Sequence, residues 1–227
     1  MRIEDLNWMD VQEYLKHDDR LILVIGATEQ HGYLSLACDV RIPLALADAA
    51  SQQAGVLVAP PLNFGSSPYF LDYPGTFSLR IATLLDAVED LVQSAHRQGF
   101  HRILLLNGHG GNDGCRARLA EIATSLPGLR MSWYSWWVSN SVLQIAEKHQ
   151  LKPSHANWLE AFPFTIVGDL PTEDKVPPYV PGIMGASQAR QVYQDGSFGG
   201  KYQAEPAILQ EVFDACLQDI ITLLEFN

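Results

Sequence analysis

Residues 21–25 read Leu-Ile-Leu-Val-Ile and stop at Gly26. Five consecutive apolar residues with no polar alternation do not suit a strand with one wet face. They suit a strand covered on both faces, as in a parallel sheet. Residues 56–59, 103–106 and 131–134 repeat the pattern. Between them lie helical periodicities over residues 43–53, ended by Gly55, over 84–98, ended by Gly99, and over 115–125, ended by Pro127-Gly128. Strand alternating with helix predicts an α/β fold, a mostly parallel wound sheet flanked by helices. A final helix over residues 205–224 carries Ile208, Val212, Cys216, Ile220 and Leu224 at helical spacing and is expected to cover one face of that sheet. The proline-rich stretch 140–200 is less regular and is expected to form loops and short elements over the ligand-binding edge.

No linker-like stretch divides the 227 residues, so one domain spanning 1–227 is expected. Acidic residues outnumber basic ones 26 to 15, for a net charge of −11, and no basic patch stands out in the sequence. A polyanion would be repelled, so no nucleic-acid partner is expected. Cys38, Cys115 and Cys216 are far apart and form no C-x-x-C pair. That argues against a disulfide framework or a thiolate zinc site and fits a reducing, cytoplasmic setting. The first residues lack the basic flank and apolar stretch of a secretory signal, and no apolar run reaches the roughly 18 residues of a membrane helix.

Three polar clusters carry the chemistry. Glu29-Gln30-His31-Gly32, with Asp39 beyond it, follows the first strand, and Asn107-Gly108-His109-Gly110-Gly111-Asn112 follows the third. Open α/β sheets bind ligands at these carboxyl ends. Carboxylate and imidazole together suit zinc, manganese or iron. Glu29 and His31, two apart, can point the same way on extended chain. Asp39, returning from a short loop, could bridge two ions. A competing reading of the second cluster is a glycine turn cradling phosphate, but Asp113 stands where the third glycine of G-x-G-x-x-G belongs. The third cluster, His155-Ala156-Asn157-Trp158-Leu159-Glu160, reads by itself as a helix N-terminal turn with an exposed His. Beside a metal pair, Glu160 becomes a candidate ligand and His155 a candidate proton shuttle.

These residues resemble the creatininase (creatinine amidohydrolase) family. The resemblance rests on Gly26-Ala27-Thr28-Glu29-Gln30-His31-Gly32 with Asp39, on Tyr73-Pro74-Gly75-Thr76, on the Asn107 to Asn112 motif, and more weakly on Gly196-Ser197-Phe198-Gly199. It implies a two-metal hydrolase with Glu29 and His31 on different ions, Asp39 bridging them and His109 completing one site. It also implies a homo-oligomer, commonly a hexamer. The chain departs from the family pattern in three places. Gly32-Tyr33-Leu34-Ser35 replaces H-G-P-H-L-P. Gly111 stands where creatininase proper has a metal-binding Glu, which leaves Glu160 as the choice for the second ion. Ala161 and Phe162 replace the Thr-Ser that usually follows it.

The expected function is therefore hydrolysis of an amide C–N bond in creatinine or a related small molecule, by water activated on two divalent ions, zinc foremost and manganese or iron as alternatives. Deformylation of a formamidopyrimidine nucleotide and cleavage of a peptide are alternatives within the family. A small-molecule-binding protein or an oligomeric scaffold without catalysis is the alternative of another class. Trp133, Trp136, Trp137 and Trp158 could wall a pocket for a flat heterocycle, although core or interface is the expectation for at least two of them.

Overall fold

The computed structural model describes residues 1–180 and 182–227. In chain order the regular elements are α1 (Trp8–Tyr14), β1 (Arg20–Ile25), α2 (Cys38–Ala54), β2 (Leu57–Val58), α3 (Ile81–Gln98), β3 (Arg102–Asn107), α4 (Cys115–Ser125), β4 (Arg130–Ser135), α5 (Asn140–Lys148), α6 (Ala186–Tyr193) and α7 (Pro206–Leu223). The four strands form one parallel sheet in the order β2-β1-β3-β4. The pairing of β1 with β3 runs unbroken from Arg20 opposite Arg102 to Ile25 opposite Asn107.

Both faces of the sheet are covered, as the unbroken apolar runs require. Ile22, Val24, Leu104 and Leu106 face one core, shared with α2, α5 and α7, while Leu21, Leu23, Ile25, Ile103 and Leu105 face the other, shared with α3 and α4. The chain runs from β1 outward to β2 on one side and then crosses to β3 on the other. The order therefore reverses between β1 and β3, and the crevice at their carboxyl ends is where such folds take a ligand. Both polar clusters leave the sheet at that crevice.

Two elements differ from the sequence expectation. The second strand is only Leu57–Val58, an edge strand supplemented by an isolated pairing of Arg2 with Val58. Helix α2 begins at Cys38 rather than at residue 43, so Asp39 lies in its first turn and not in a loop. Proline suggests a helix start because its missing N–H costs nothing in the first turn. At Pro43 the missing N–H leaves only the Asp39 carbonyl without its helical partner, near enough to the helix end to be tolerated. Within the long irregular stretch, α5, α6 and a 3-10 turn at Trp158–Glu160 are the ordered pieces. No described helix is long and apolar enough to cross a membrane.

Candidate metal centre

The structure brings Glu29, His31, Asp39, His109, His155 and Glu160 to one place. Ligand-type atoms of Glu29, Asp39 and His109 lie within 4.8 Å of one another, and so do those of His31, Asp39 and Glu160. Asp39 belongs to both groups through different oxygens. Its Oδ1 is 3.0 Å from His31 Nε2, and its Oδ2 is 3.1 Å from His109 Nδ1. Glu29 Oε1 stands 3.4 Å from His109 Nδ1, and Glu160 Oε1 3.7 Å from His31 Nε2. Glu29, His31, Asp39 and His109 are buried. Even so, Glu29 Oε2, His31 Nε2 and Asp39 Oδ2 find no hydrogen-bond partner among the described residues. Buried polar atoms are nearly always satisfied, and three orphans converging on one spot fit bound cations.

The backbone fixes which nitrogen each imidazole presents. His31 Nδ1 lies 3.1 Å from the Glu29 carbonyl, and His109 Nε2 lies 2.9 Å from the Ser66 carbonyl. An N–H donated to each carbonyl leaves the lone pairs of His31 Nε2 and His109 Nδ1 facing the carboxylates, the arrangement that metal-binding histidines use. Glu160 is held the same way, since its Oε2 accepts from the Ala156 amide at 2.6 Å while Oε1 faces the cluster.

The motif residues around the ligands place them. Asn107 Oδ1 accepts from the His109 amide, and Asn112 donates to the Gly26 carbonyl and accepts from the Ser66 amide. These buried side chains tie the β3 loop to the β1 loop and to residue 66. Thr76 Oγ1 accepts from the Gln30 amide, which accounts for the Tyr-Pro-Gly-Thr motif. At Gly108 a Cβ would collide with the Asp39 carbonyl. At Gly111 it would sit 2.5 Å from His109 Nε2 and closer still to the Ser66 carbonyl. The backbone path therefore excludes any side chain at position 111.

The electrostatics follow from burial and proximity. Burial pushes the Glu29 carboxyl up to about 7, more than the nearby His109 charge lowers it. Burial acts on Asp39 in the same direction, but the imidazoles of His31 and His109 on its two oxygens outweigh it and hold the carboxyl well below its usual range. Burial would depress His109, yet Glu29 and Asp39 raise it to about 9. His31 is raised against burial chiefly by Asp39. His155 goes the other way, pushed down by burial and then by the His31 charge.

His155 Nδ1 lies 3.7 Å from Glu29 Oε1, and its Nε2 lies 2.9 Å from the Gln30 side-chain amide and 3.1 Å from the Gln30 carbonyl. Its ring stacks on Phe70 at 4.7 Å, with Phe198 4.9 Å away. The cavity beside the cluster is walled by Phe70, Tyr193 and Phe198 among others, and none of the four tryptophans lines it. Trp136 and Trp158 are instead buried in the core, as expected for at least two, and the heterocycle-wall reading is corrected. The sequence reading missed Ser66, Ser67 and the aromatic wall. Gly65-Ser66-Ser67-Pro68 carries only a turn signal, and Phe70, Tyr193 and Phe198 come from segments far apart in the chain.

The chain is similar to known proteins in sequence and in fold. Creatinine amidohydrolase from Pseudomonas putida is 34% identical over 117 residues, 48% of this chain and 45% of that protein. The mycofactocin precursor peptide peptidase of Mycolicibacterium smegmatis is 37% identical over 99 residues, 40% of each chain. The matched stretches thus span less than half the length of these relatives. A solved creatininase variant described as Zn-Zn type shares the fold, with a TM-score of 0.78 at 23% identity over 97% of this chain and 95% of that one. The family model described as creatininase, creatinine amidohydrolase, matches residues 4–224, and the chain belongs to the creatininase family.

Proposed function

We propose that residues 1–227 form one metal-dependent amidohydrolase domain that cleaves an amide C–N bond of a small molecule, with creatinine or a related cyclic amide as the reference substrate. The observation that carries this reading is Asp39, whose two oxygens serve two separate ligand groups, Glu29 with His109 and His31 with Glu160. Nitrogen and oxygen ligands of this kind suit zinc, with manganese or iron as alternatives. Two divalent ions held there by these residues would supply Lewis acidity, able to lower the pKa of water to about 7 and to polarise an amide carbonyl.

The protein's own residues supply the rest. Glu29, Asp39 and Glu160 give the site three carboxylates beside two imidazoles, which would offset three of the four positive charges that two dications carry. His155 faces the cluster through Nδ1, in reach of a departing nitrogen, and its Nε2 rests between a donor and an acceptor on Gln30. With Nε2–H donating to the Gln30 carbonyl, the ring can take a proton at Nδ1 from the attacking water and pass it to the departing nitrogen without losing its anchor. Phe70 and Phe198 hold the ring in place and keep water from its faces. The three cysteines are buried and unpaired, which supports a reducing, cytoplasmic setting, and family membership supports a homo-oligomer. Cleavage of a peptide is the second reading, supported by the similarity to the peptidase. A phosphorylated nucleotide is less suited, because no lysine or arginine lines the cavity among the described residues.

Metal analysis of the purified protein, paired with creatinine ring-opening before and after chelation, tests the proposal. The expected result is two ions per chain, turnover that returns with metal, and at most one ion in Asp39→Asn. Finding no bound ion in protein loaded with zinc or manganese would end the reading.

A further inference from the structure

The cavity that opens on the Glu29 and His109 side of the cluster has a volume of about 640 Å³. A cavity of ~150 Å³ accommodates benzene, and drug-sized ligands occupy ~300–1,000 Å³. The space is several times what a single five-membered ring fills. Its floor is polar, built from Glu29, Ser66, Ser67, His109 and the Gly110-Gly111 turn. Its walls are Tyr69, Phe70, Ile81, Val180, Tyr193 and Phe198. Among the described lining residues, Glu29 and His109 are the only acidic or basic side chains, and the cluster claims both.

The aromatic wall is preformed. Phe198 stacks on Tyr193 at 4.2 Å and lies 5.9 Å from Phe70. The loop that carries Phe198 is fastened from below, where Lys175 Nζ donates to the carbonyls of Tyr193 and Ser197 and pairs with Asp195. The Phe198 amide donates to the His155 carbonyl, which ties the wall to the segment of the candidate proton donor. A rigid apolar wall next to a polar floor favours a group that buries carbon surface and carries no charge.

We infer that the substrate is an uncharged amide bearing an aromatic or bulky apolar substituent next to the scissile bond, seated against Phe70, Phe198 and Ile81. The inference rests on the proposed amide hydrolysis. An anionic substituent seated against this wall would find no lysine or arginine among the described lining residues and would lose its hydration.

Three formamides with one scissile bond and different nitrogen substituents test it: N-benzylformamide, N-methylformamide and N-formylglycine. With metal-loaded protein and formate release as the readout, kcat/KM for the benzyl compound should exceed that for the methyl compound by about tenfold or more, with N-formylglycine slowest. Ile81 opens α3 and is partly exposed. Ile81→Lys should therefore fold and should shift the ratio of the two rates from N-benzylformamide toward N-formylglycine.

Equal rates for the benzyl and methyl compounds, or preference for N-formylglycine, would overturn the inference and leave amide hydrolysis standing. Should none of the three be cleaved, calorimetry with benzylurea, methylurea and ureidoacetate on metal-loaded and chelated protein decides the pocket separately. Tighter binding of benzylurea in both forms would support the apolar site, and indistinguishable binding of the three would refute it.

Discussion

Protons and metal ions compete for the same lone pairs in the cluster, and the direction of that competition is set residue by residue. Burial keeps Glu29 protonated up to about 7, and the carboxylates keep His109 protonated up to about 9. Both groups must give up a proton to become ligands. At a pH below these values an arriving ion pays the cost of displacing protons, and above them it does not. Apparent zinc affinity should therefore climb as pH rises through 7 and toward 9, and binding at pH 7 should release protons. Calorimetric titration of the chelated protein in two buffers of different ionisation enthalpy reads this directly. A binding heat independent of buffer would mean that Glu29 and His109 are not taking up the ion. Asp39, already ionised at any working pH, contributes no proton to this count.

The elements show where a backbone path, and not a side-chain type, decides the chemistry. The His109 loop can pass beneath residue 66 only because Gly111 has no Cβ, and that passage gives His109 Nε2 its carbonyl partner. Gly111→Ala should thus force the loop away from Ser66 and turn the imidazole off the Glu29 and Asp39 side. The overpacking should cost about 1–3 kcal/mol in denaturant unfolding, and metal analysis should show loss of the ion held with Glu29. A variant with unchanged stability and full metal content would refute this account of the glycine.

The same contrast explains what the sequence made legible. β1 and β3 stand out because strands covered on both faces need unbroken apolar runs, and α4 stands out because Pro127-Gly128 stops it. All six side chains of the candidate centre were legible as acid and imidazole types just beyond strand ends or in the third cluster. The start of α2 was not, since Pro43 imitates a first-turn proline. Nor was the role of the Ser66 carbonyl, because a main-chain oxygen carries no residue signature. The aromatic wall escaped for a third reason: its members meet only after residues 68–70, 186–193 and 196–199 fold together.

At the scale of the molecule, the cluster joins four segments, and the pairing of β1 with β3 brings together only two of them. Glu29 and His31 come from the loop after β1, Asp39 from the first turn of α2, His109 from the loop after β3, and Glu160 from the 3-10 turn near residue 158. Stripped of cations, these segments would be held near one another by buried carboxylates with incomplete hydrogen bonding, and burying charge without a partner is costly. Bound ions remove that cost in the folded state only, so occupancy and stability are linked. At a free-ion concentration of about 100 times Kd, each site should add ~2.7 kcal/mol. For a chain of this size that corresponds to roughly 5–11 °C in the unfolding temperature. Chelation should therefore lower the midpoint of thermal unfolding by at least about 5 °C, and zinc should restore it. Asp39→Asn, lacking the shared carboxylate, should respond to chelator by a smaller shift than the parent protein. Should metal analysis show the ions gone while the parent midpoint stays where it was, the four segments are held by their packing alone, and the cluster is not a structural link between them.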